Sequence, residues 1–456
     1  MLSSAQYPGD MEGKGQQMNV TCTVALCDHV TGFFSVAWAG RPPAFVPITC
    51  GPSALFRPLG PRIVEWKHSI TRKVLQNLFS PRKRMEEEMI ERFHGIDRHK
   101  KHFTASVLDR EGKEIEFVTK REDLRGYIEK LGAEDAVILE ASAGAFHWAD
   151  LVERQGSTCY VLDPFKFKII RDSWNKTDKQ DARNMAKALW VYKVTGEFGI
   201  PTVYKPTMEI RELRKLFCQY RLFGRQMTML KNNIQAIFTD NGVDLKSEEK
   251  AVVLSRKHGE KALAGYEVSP ASQVSLRLNL DLLWKLEEQK ETIKKEILLA
   301  GEPFSYEVKL LITVRGITPL SALAFLADVA DVERFRTLRK MNAYLGLVQK
   351  VRESAGKSKP GHINRASRNL TRTILTQSVL HFAQASPQLG RYYSGIAERR
   401  GAGRARIALI RKVCGIMRRM LLNGEQFREM KKDNFERKLK RYENQLKKIK
   451  KERKIA

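Results

Sequence analysis

The chain has 456 residues, 42% of them hydrophobic, which is enough for more than one packed core. It carries 81 Lys plus Arg against 52 Asp plus Glu, a formal net charge of +29, which favours a polyanionic partner and predicts strongly salt-dependent binding. The six cysteines lack metal-site spacing and a dense disulfide pattern, and the most apolar early stretch, residues 20–39, is interrupted by Asp28 and His29. We therefore expect a cytoplasmic protein with neither a signal peptide nor a membrane span.

Residues 1–84 contain Gly, Pro and scattered apolar residues without a sustained period. This composition indicates an N-terminal extension that is poorly patterned. Met85 precedes three glutamates and the first clear strand. We hypothesise that translation starts at Met85 and that the upstream residues are a disordered leader or are not native. N-terminal sequencing of the native protein tests this hypothesis.

Residues 85–205 predict an α/β domain. Alternating apolar residues predict a three-stranded meander, and the turn at 109–112 separates its second and third strands. Strands and helices then alternate, which gives the order βββαβαβα. The predicted elements are strands at 92–97, 103–108, 114–119, 136–140 and 158–162, and helices at 122–131, about 145–155 and 181–192.

Four acidic residues lie at element boundaries of this domain. Asp97 and Glu140 each close a predicted strand, whereas Asp178 and Asp181 are three apart at the start of a helix and share one face. Taken singly, Asp97 could be a turn residue, Glu140 could cap a helix, and Asp178 and Asp181 could be ordinary acids of a first helical turn. Together they form a set of oxygen ligands that could hold two Mg²⁺ ions, about 4 Å apart, for an in-line displacement at a phosphodiester.

Residues 206–303 predict a helical linker arm. Apolar residues recur at spacings of three and four, as in a coiled-coil seam. We interpret the segment as an antiparallel helical hairpin that mediates dimerisation, although packing within one chain would leave the same spacing. The seam residues are Leu213, Leu216, Tyr220, Phe223, Met227, Leu230, Ile234 and Ile237, then Leu283, Leu286, Ile293 and Ile297.

Residues 304–425 predict a mainly helical domain, and residues 426–456 a basic C-terminal helix. In the helical domain, Arg315 and Gly316 lie between two apolar segments, as in a helix-hairpin-helix element whose amides can receive a nucleic-acid phosphate. An ordinary interhelical turn explains the same residues. The C-terminal helix has an apolar stripe from Phe435 to Ile449. Two interpretations stay open: a solvated terminal helix that frays, which we rate at least as highly, and a helix that contacts nucleic acid.

Residues 91–424 resemble the insertion-sequence one-hundred-and-ten family of transposases. The motifs that carry the resemblance are the Lys-Thr-Asp-x-x-Asp-Ala run at 176–182, Tyr-Leu-Gly-Leu at 344–347, Ser-Ala-Gly-Lys at 354–357, Gly-His-Ile-Asn-Arg-Ala at 361–366 and Leu-Thr-Arg at 370–372. The resemblance implies a ribonuclease-H or RuvC-like domain, a coiled-coil arm and a helical transposase domain. It also implies that Asp97, Glu140, Asp178 and Asp181 are an acidic tetrad that binds two Mg²⁺ ions.

The resemblance implies in addition that Ser354 is a nucleophile that becomes covalently joined to DNA. The family commonly has Ser-Gly where this chain has Ser354-Ala355-Gly356, so Ser358 is a second, weaker candidate. A hydroxyl needs activation, and basic residues near Ser354 could hold phosphates. On composition alone this segment is a solvated loop. The basic residues are Arg352, Lys357, Lys359, His362, Arg365, Arg368 and Arg372.

The resemblance therefore implies a DNA transposase or recombinase of a bacterial or archaeal insertion sequence. We expect the protein to be nucleoid-associated and to act as a homodimer or homotetramer. It implies a structured guide RNA that selects donor and target DNA by base pairing. One alternative is a metal-dependent RuvC-like junction nuclease that uses water, with Ser354 merely structural. The other is a catalytically silent nucleic-acid-binding protein.

Overall fold

The computed structural model describes residues 4–7, 20–23, 31–36, 44–49, 90–167, 177–196, 199–354, 357–363 and 367–455. The chain divides into two compact units, Met1–Thr202 and Val203–Ala456. The first ends close to the boundary that the sequence predicts at 205. The second combines the segments that the sequence separates into an arm, a helical domain and a C-terminal helix.

Four short strands lie in the N-terminal extension. They pair antiparallel with their neighbours in the order β1-β2-β3-β4. Met85, the hypothesised start, lies outside the described residues. The strands are β1 Ser4–Tyr7, β2 Val20–Thr23, β3 Thr31–Val36 and β4 Ala44–Thr49.

A mixed five-stranded sheet forms the centre of the first unit, in the order β7-β6-β5-β8-β9. The strands are β5 Arg92–Arg98, β6 Phe103–Leu108, β7 Glu114–Arg121, β8 Asp135–Glu140 and β9 Thr158–Leu162. The first three form the predicted antiparallel meander, and β8 and β9 continue parallel to β5. Almost every residue of β5, β6 and β8 is buried, because these inner strands are covered on both faces.

The helices of this unit are α1 Leu124–Ile128, α2 Ala145–Arg154 and α3 Asp178–Trp190, and α3 is followed by a π-helical turn Val191–Thr195. Helix α3 begins three residues before the predicted start. The Thr177 hydroxyl accepts a hydrogen bond from the Gln180 amide at 3.2 Å and so caps the helix ahead of Asp178. Its buried face, with Met185, Ala186 and Leu189, packs into the core beneath the sheet.

An antiparallel helical hairpin forms the arm of the second unit. Its long helices are α4 Met208–Asp240 and α7 Pro270–Ala300, and its tip contains α5 Ser247–Val253 and α6 Gly259–Leu263. Phe238 near the end of α4 packs with Leu276 near the start of α7. The two long helices thus pack against each other within one chain, whereas the coiled-coil seam and dimerisation stay predictions.

The rest of the second unit is mainly helical. Helix α9 lies at its centre, since every residue from Ser321 to Val329 is buried. A two-stranded antiparallel hairpin, β10 Gln349–Ser354 and β11 Lys357–Ile363, follows α10. The helices are α8 Ser305–Leu311, α9 Pro319–Val329, α10 Leu338–Tyr344, α11 Leu370–Thr376, α12 Val379–Ala383, α13 Pro387–Arg400 and α14 Ala402–Asn423, with a 3₁₀ turn Glu302–Phe304 before α8.

The C-terminal helix, α15 Lys432–Ile455, packs on this core. Tyr442 is 1% exposed and Ile449 is 5% exposed, so the apolar stripe in the sequence is its packing face. On the same side, the Lys438 ammonium donates to the carbonyls of Ile312, Val314 and Ile317 at 2.9, 2.8 and 3.2 Å. These contacts hold one face of α15 against the core, and a nucleic-acid contact by the exposed face stays a prediction.

Among the described residues, no helix combines the length and the apolar character that crossing a bilayer requires.

Candidate functional site

Two of the four predicted acids, Asp97 and Glu140, lie at the carboxyl ends of adjacent parallel strands. The pairing of β5 with β8 aligns Arg92 with Asp135 and Ile96 with Leu139. Continued by one step, the same register would align Asp97 with Glu140. Asp97 is only 8% exposed, whereas Glu140 is partly exposed at the strand end. The carboxyl ends of parallel strands are where open α/β sheets place their ligands.

Helix α3 brings the other two acids to this edge through an unusually close approach to β5. A Cβ atom at Gly95 would lie 2.2 Å from the Ala182 carbonyl oxygen and 2.3 Å from the Ala186 nitrogen. Only a residue without a side chain permits this spacing. Asp181 precedes Ala182 and is 6% exposed, so its carboxylate is buried in the first turn of α3 near the end of β5.

His99 connects the strand acid with the helix acid. Its Nε2 atom lies 3.1 Å from Asp97 Oδ2 and 3.3 Å from Asp178 Oδ1. These two carboxylates are therefore within about 6.4 Å of each other, the sum of the two contacts. On the other side of Asp97, the Arg98 guanidinium donates to the carbonyl of Ala143, which ties the end of β5 to the loop after Glu140. The sequence interpretation assigned no role to His99 or to His102.

A second polar cluster occupies the opposite end of the same strands and is structural. Buried Asp135 accepts from His94 Nε2 at 2.9 Å, from Arg92 Nε at 2.6 Å and from the Gly132 amide at 2.7 Å. His94 Nδ1 lies 2.8 Å from the Tyr127 hydroxyl. Burial alone would raise the pKa of Asp135, but these hydrogen bonds outweigh it and lower the pKa to about 2.

The donor set at the carboxyl edge fits a hard divalent cation. Asp97, Glu140, Asp178 and Asp181 offer carboxylate oxygens from two strands and one helix, and hard cations such as Mg²⁺ take such ligands. Two of these carboxylates are largely withdrawn from water, and buried carboxylates are held by partners or by metals. An ion bridging Asp97 and Asp178 would compete with the present contacts of His99.

In the second unit, Ser354 is the last residue of β10, and the register aligns its backbone with Lys357 at the start of β11. Ser358 is the next residue of β11, where it aligns with Glu353, and Arg352 aligns with Lys359. Both candidate serines thus lie at the closed end of one β-hairpin. Residues 355–356 and Arg365 fall outside the described residues.

The basic residues downstream of the hairpin have different environments. His362 and Arg368 are exposed. Arg372 is partly buried, and its Nη1 donates to the Gly346 carbonyl at 2.7 Å, which fixes the Tyr344–Leu347 motif against α11. The structure thus gives Arg372 a packing role, while His362 and Arg368 stay available for a partner.

The turn at Arg315 and Gly316 is packed against α12. Gly316 has φ +91°, and a Cβ there would lie 2.9 Å from the Phe382 ring. Arg315 Nη2 donates to Gln384 Oε1 at 2.8 Å. The Ser321 amide in the first turn of α9 already donates to Thr318 Oγ1 at 3.1 Å. These contacts favour the interhelical turn, and phosphate binding by Arg315 and Gly316 stays a prediction.

Comparison with known protein families identifies the class of protein. A model of the DEDD transposases of IS110 matches residues 94–241, and a model of the "Transposase IS116/IS110/IS902 family" matches residues 308–394. The two matches cover the carboxylate cluster and the serine-bearing hairpin.

The chain belongs to the IS110 family of transposases.

As an IS110-family transposase, it is a DNA-processing enzyme of an insertion sequence. It is 24% identical over 379 residues to "Transposase for insertion sequence element IS1111A" of Coxiella burnetii, a match that spans 81% of this chain and 98% of that protein. It is also 24% identical over 328 residues to the "Probable family 20 transposase" of Pseudomonas aeruginosa, covering 71% of this chain and 91% of the relative.

Proposed function

We propose that this transposase cuts and rejoins DNA through a covalent serine–DNA intermediate, assisted by Mg²⁺ bound to a RuvC-like acidic tetrad. The observation that supports the proposal is that Asp97 and Asp178 both contact His99. Glu140 ends the strand next to that of Asp97, and Asp181 lies in the same first helical turn as Asp178. Magnesium bound there would neutralise the scissile phosphate and stabilise the attacking and leaving oxygens. The sheet order, with an antiparallel meander followed by parallel strands, supports the RuvC-like assignment.

The protein residues have separate tasks in this proposal. The Ser354 oxygen attacks the scissile phosphorus and gives up its proton to solvent, while the bond from phosphorus to the deoxyribose oxygen breaks and that oxygen takes up a proton. The phosphoserine ester keeps the bond energy, so a hydroxyl of a second DNA strand can attack it and release Ser354 without ATP. Exposed Arg368 and His362 bind phosphates of the same DNA.

Covalent trapping tests this chemistry. Wild-type protein incubated with element-end DNA and Mg²⁺ is expected to form a denaturation-resistant protein–DNA adduct, and Ser354→Ala is expected to form none. Ser358→Ala is the matched variant from the same hairpin and should retain the adduct. Loss of the adduct only in Ser358→Ala would move the nucleophile to Ser358. Free DNA ends from the wild type and from both variants would favour a nuclease that uses water.

The tetrad is tested independently of the serine. Asp181→Asn keeps the size of the buried side chain and removes its charge, so we expect strand cleavage to fall by at least about 100-fold with DNA binding retained. Glu111→Gln removes a charge from an exposed turn of the same unit and is the control. Wild-type cleavage by Asp181→Asn would exclude Asp181 from the metal site.

We propose further that an RNA encoded by the insertion sequence guides the reaction. The formal charge of +29 favours polyanionic partners such as RNA and DNA, and base pairing would then select the DNA sequence. RNA that co-purifies with the protein should map beside the reading frame, and cleavage should follow DNA that matches its loops. Equal cleavage of matched and unmatched DNA would refute guidance.

We propose self-association through the arm. Val274, Leu278 and Leu282 are spaced by four on α7 and are 60%, 65% and 49% exposed, an apolar stripe that a second copy could cover. Leu278→Glu should yield a monomer by light scattering. Leu422→Glu, at a 38% exposed site on α14, is the control and should leave the assembly intact. An unchanged mass for Leu278→Glu would exclude this stripe.

A further inference from the structure

Two histidines and one aspartate form a cluster beside the acidic tetrad. His99 and His102 flank the turn between β5 and β6, and Asp178 opens α3. One ligand atom from each of the three side chains can be chosen so that all three lie within 4.8 Å of one another. The tetrad is a set of oxygen donors, whereas this cluster adds two imidazole nitrogens and so has a different affinity for metals.

The distances in the cluster resemble those between neighbouring ligands of one small cation. Asp178 Oδ1 is 3.3 Å from His99 Nε2, and Asp178 Oδ2 is 3.6 Å from His102 Nε2. Ligands bound at about 2.0–2.1 Å in a tetrahedral site are about 3.4 Å apart. A separation of 3.6 Å is long for a hydrogen bond but suits two ligands of one ion.

The turn orients both imidazole rings before any ligand binds. The His99 amide donates to the His102 carbonyl at 2.9 Å, and the ring centroids are 4.9 Å apart at an interplanar angle of 32°. Within the part of the chain that the structure describes, His102 Nε2 is buried and has no hydrogen-bond partner. A buried nitrogen in this state costs free energy unless a ligand engages it.

We propose that His99, His102 and Asp178 bind a divalent transition-metal ion of the Zn²⁺ or Co²⁺ class, in a site that shares only Asp178 with the oxygen-only tetrad. Asp178 belongs to both sites, so the inference deepens the proposed function by adding a second kind of cation to the same edge. Imidazole ligands favour these cations over Mg²⁺. The bound ion would fasten the β5–β6 turn to the start of α3, which carries Asp181.

Cobalt alone is the probe, because Co²⁺ in a tetrahedral nitrogen and oxygen site absorbs visible light far more strongly than octahedral Co²⁺ surrounded by oxygen. Co²⁺ titrated into metal-free, full-length protein should give a strong spectrum that saturates at one equivalent. Excess Mg²⁺ should leave the spectrum in place, and a chelator should remove it. A weak octahedral spectrum in the wild type would overturn the proposal.

Substitutions identify the ligands. His102→Ala and His102→Gln should each weaken Co²⁺ binding by at least about 100-fold. The matched control is His147→Ala, an exposed histidine on α2, which should keep the spectrum. Thermal unfolding of each metal-free variant shows whether it is folded. Wild-type Co²⁺ affinity in folded His102→Ala and His102→Gln would refute the site.

The test separates this inference from the proposed catalytic function. Asp181 is outside the histidine cluster, so Asp181→Asn should lose DNA cleavage while its Co²⁺ spectrum persists. If the spectrum is absent from wild-type protein that cleaves DNA with Mg²⁺, the histidine site is refuted and the proposed function stands. If the spectrum is present but wild-type protein makes no cleavage product, the proposed function fails alone.

Discussion

The close approach of α3 to β5 makes Gly95→Ala the most informative single substitution. The new Cβ would lie 2.2 Å from the Ala182 carbonyl oxygen and 2.3 Å from the Ala186 nitrogen. Both are backbone atoms that no side-chain rotation can move. Helix α3 must therefore shift by about 1 Å to reach normal contact, and such overpacking costs about 3 kcal/mol of unfolding free energy.

The same shift moves Asp178 and Asp181 away from Asp97. A displacement of about 1 Å in a catalytic group can reduce a rate by about 100-fold. Urea unfolding measures the stability change, and Mg²⁺-dependent cleavage of element-end DNA measures the activity at a temperature where the variant stays folded. The expected result is a folded, less stable protein that binds DNA and cleaves it about 100-fold more slowly.

Gly199→Ala is the control for Gly95→Ala, since a Cβ at Gly199 meets nothing within 4 Å. It should leave stability and cleavage near the wild-type values. If Gly95→Ala cleaves DNA at the wild-type rate with unchanged stability, the contact between β5 and α3 does not position the acids.

Three further substitutions test the packing. Asp135→Asn should lower the unfolding free energy by about 2 kcal/mol at neutral pH, because the pKa of Asp135 is lowered to about 2 in the folded protein. For the same reason, the unfolding free energy of the wild type should fall as the pH drops from about 4 towards 2, whereas that of the variant should change less. Lys438→Met should lower the unfolding free energy measured in urea by about 2–3 kcal/mol, because three carbonyls lose their hydrogen-bond donor. Lys440→Met, at an exposed position of the same helix, is the control and should change the unfolding free energy little. Burial raises the pKa of Asp328, whose Oδ2 accepts hydrogen bonds from the Thr371 amide and hydroxyl at 2.8 Å each. Asp328→Asn should keep both hydrogen bonds without burying a charge, so we expect its thermal unfolding midpoint to equal or exceed that of the wild type. A clearly lower unfolding midpoint would contradict this.

The sheet was predictable because its residue pattern is local. Buried strands contain short apolar runs bounded by turns, and the predicted meander and the two parallel strands all occur. Helix starts were less predictable, since α3 begins at Asp178 through the Thr177 cap. Of the predicted acids, Asp97 and Asp178 contact the same imidazole, His99, because strand register and helix packing bring together residues that are distant in sequence.

Other features depended on contacts that no local pattern reveals. Nothing near Gly95 indicates that the backbone of α3 lies against it. His99 and His102 form a candidate metal-ligand set only together with Asp178, which lies 76 residues after His102 in the sequence. Lys438 resembles any other lysine of a basic helix, yet its acceptors lie about 120 residues earlier. Pairings of this kind depend on the tertiary fold.

The two ends of β5 and β8 are coupled by their register. Arg92 and Asp135 form an ion pair at the start of the strands, and the same alignment runs to Ile96 and Leu139, the residues before Asp97 and Glu140. A slip of two residues would keep the side-chain faces but move Glu140 by about 6.6 Å along the strand, too far to share an ion with Asp97. The buried Asp135 network disfavours that slip, because a displaced carboxylate would lose its donors. The ion-paired end of the two strands therefore fixes the register at the end where the proposed metal ligands lie.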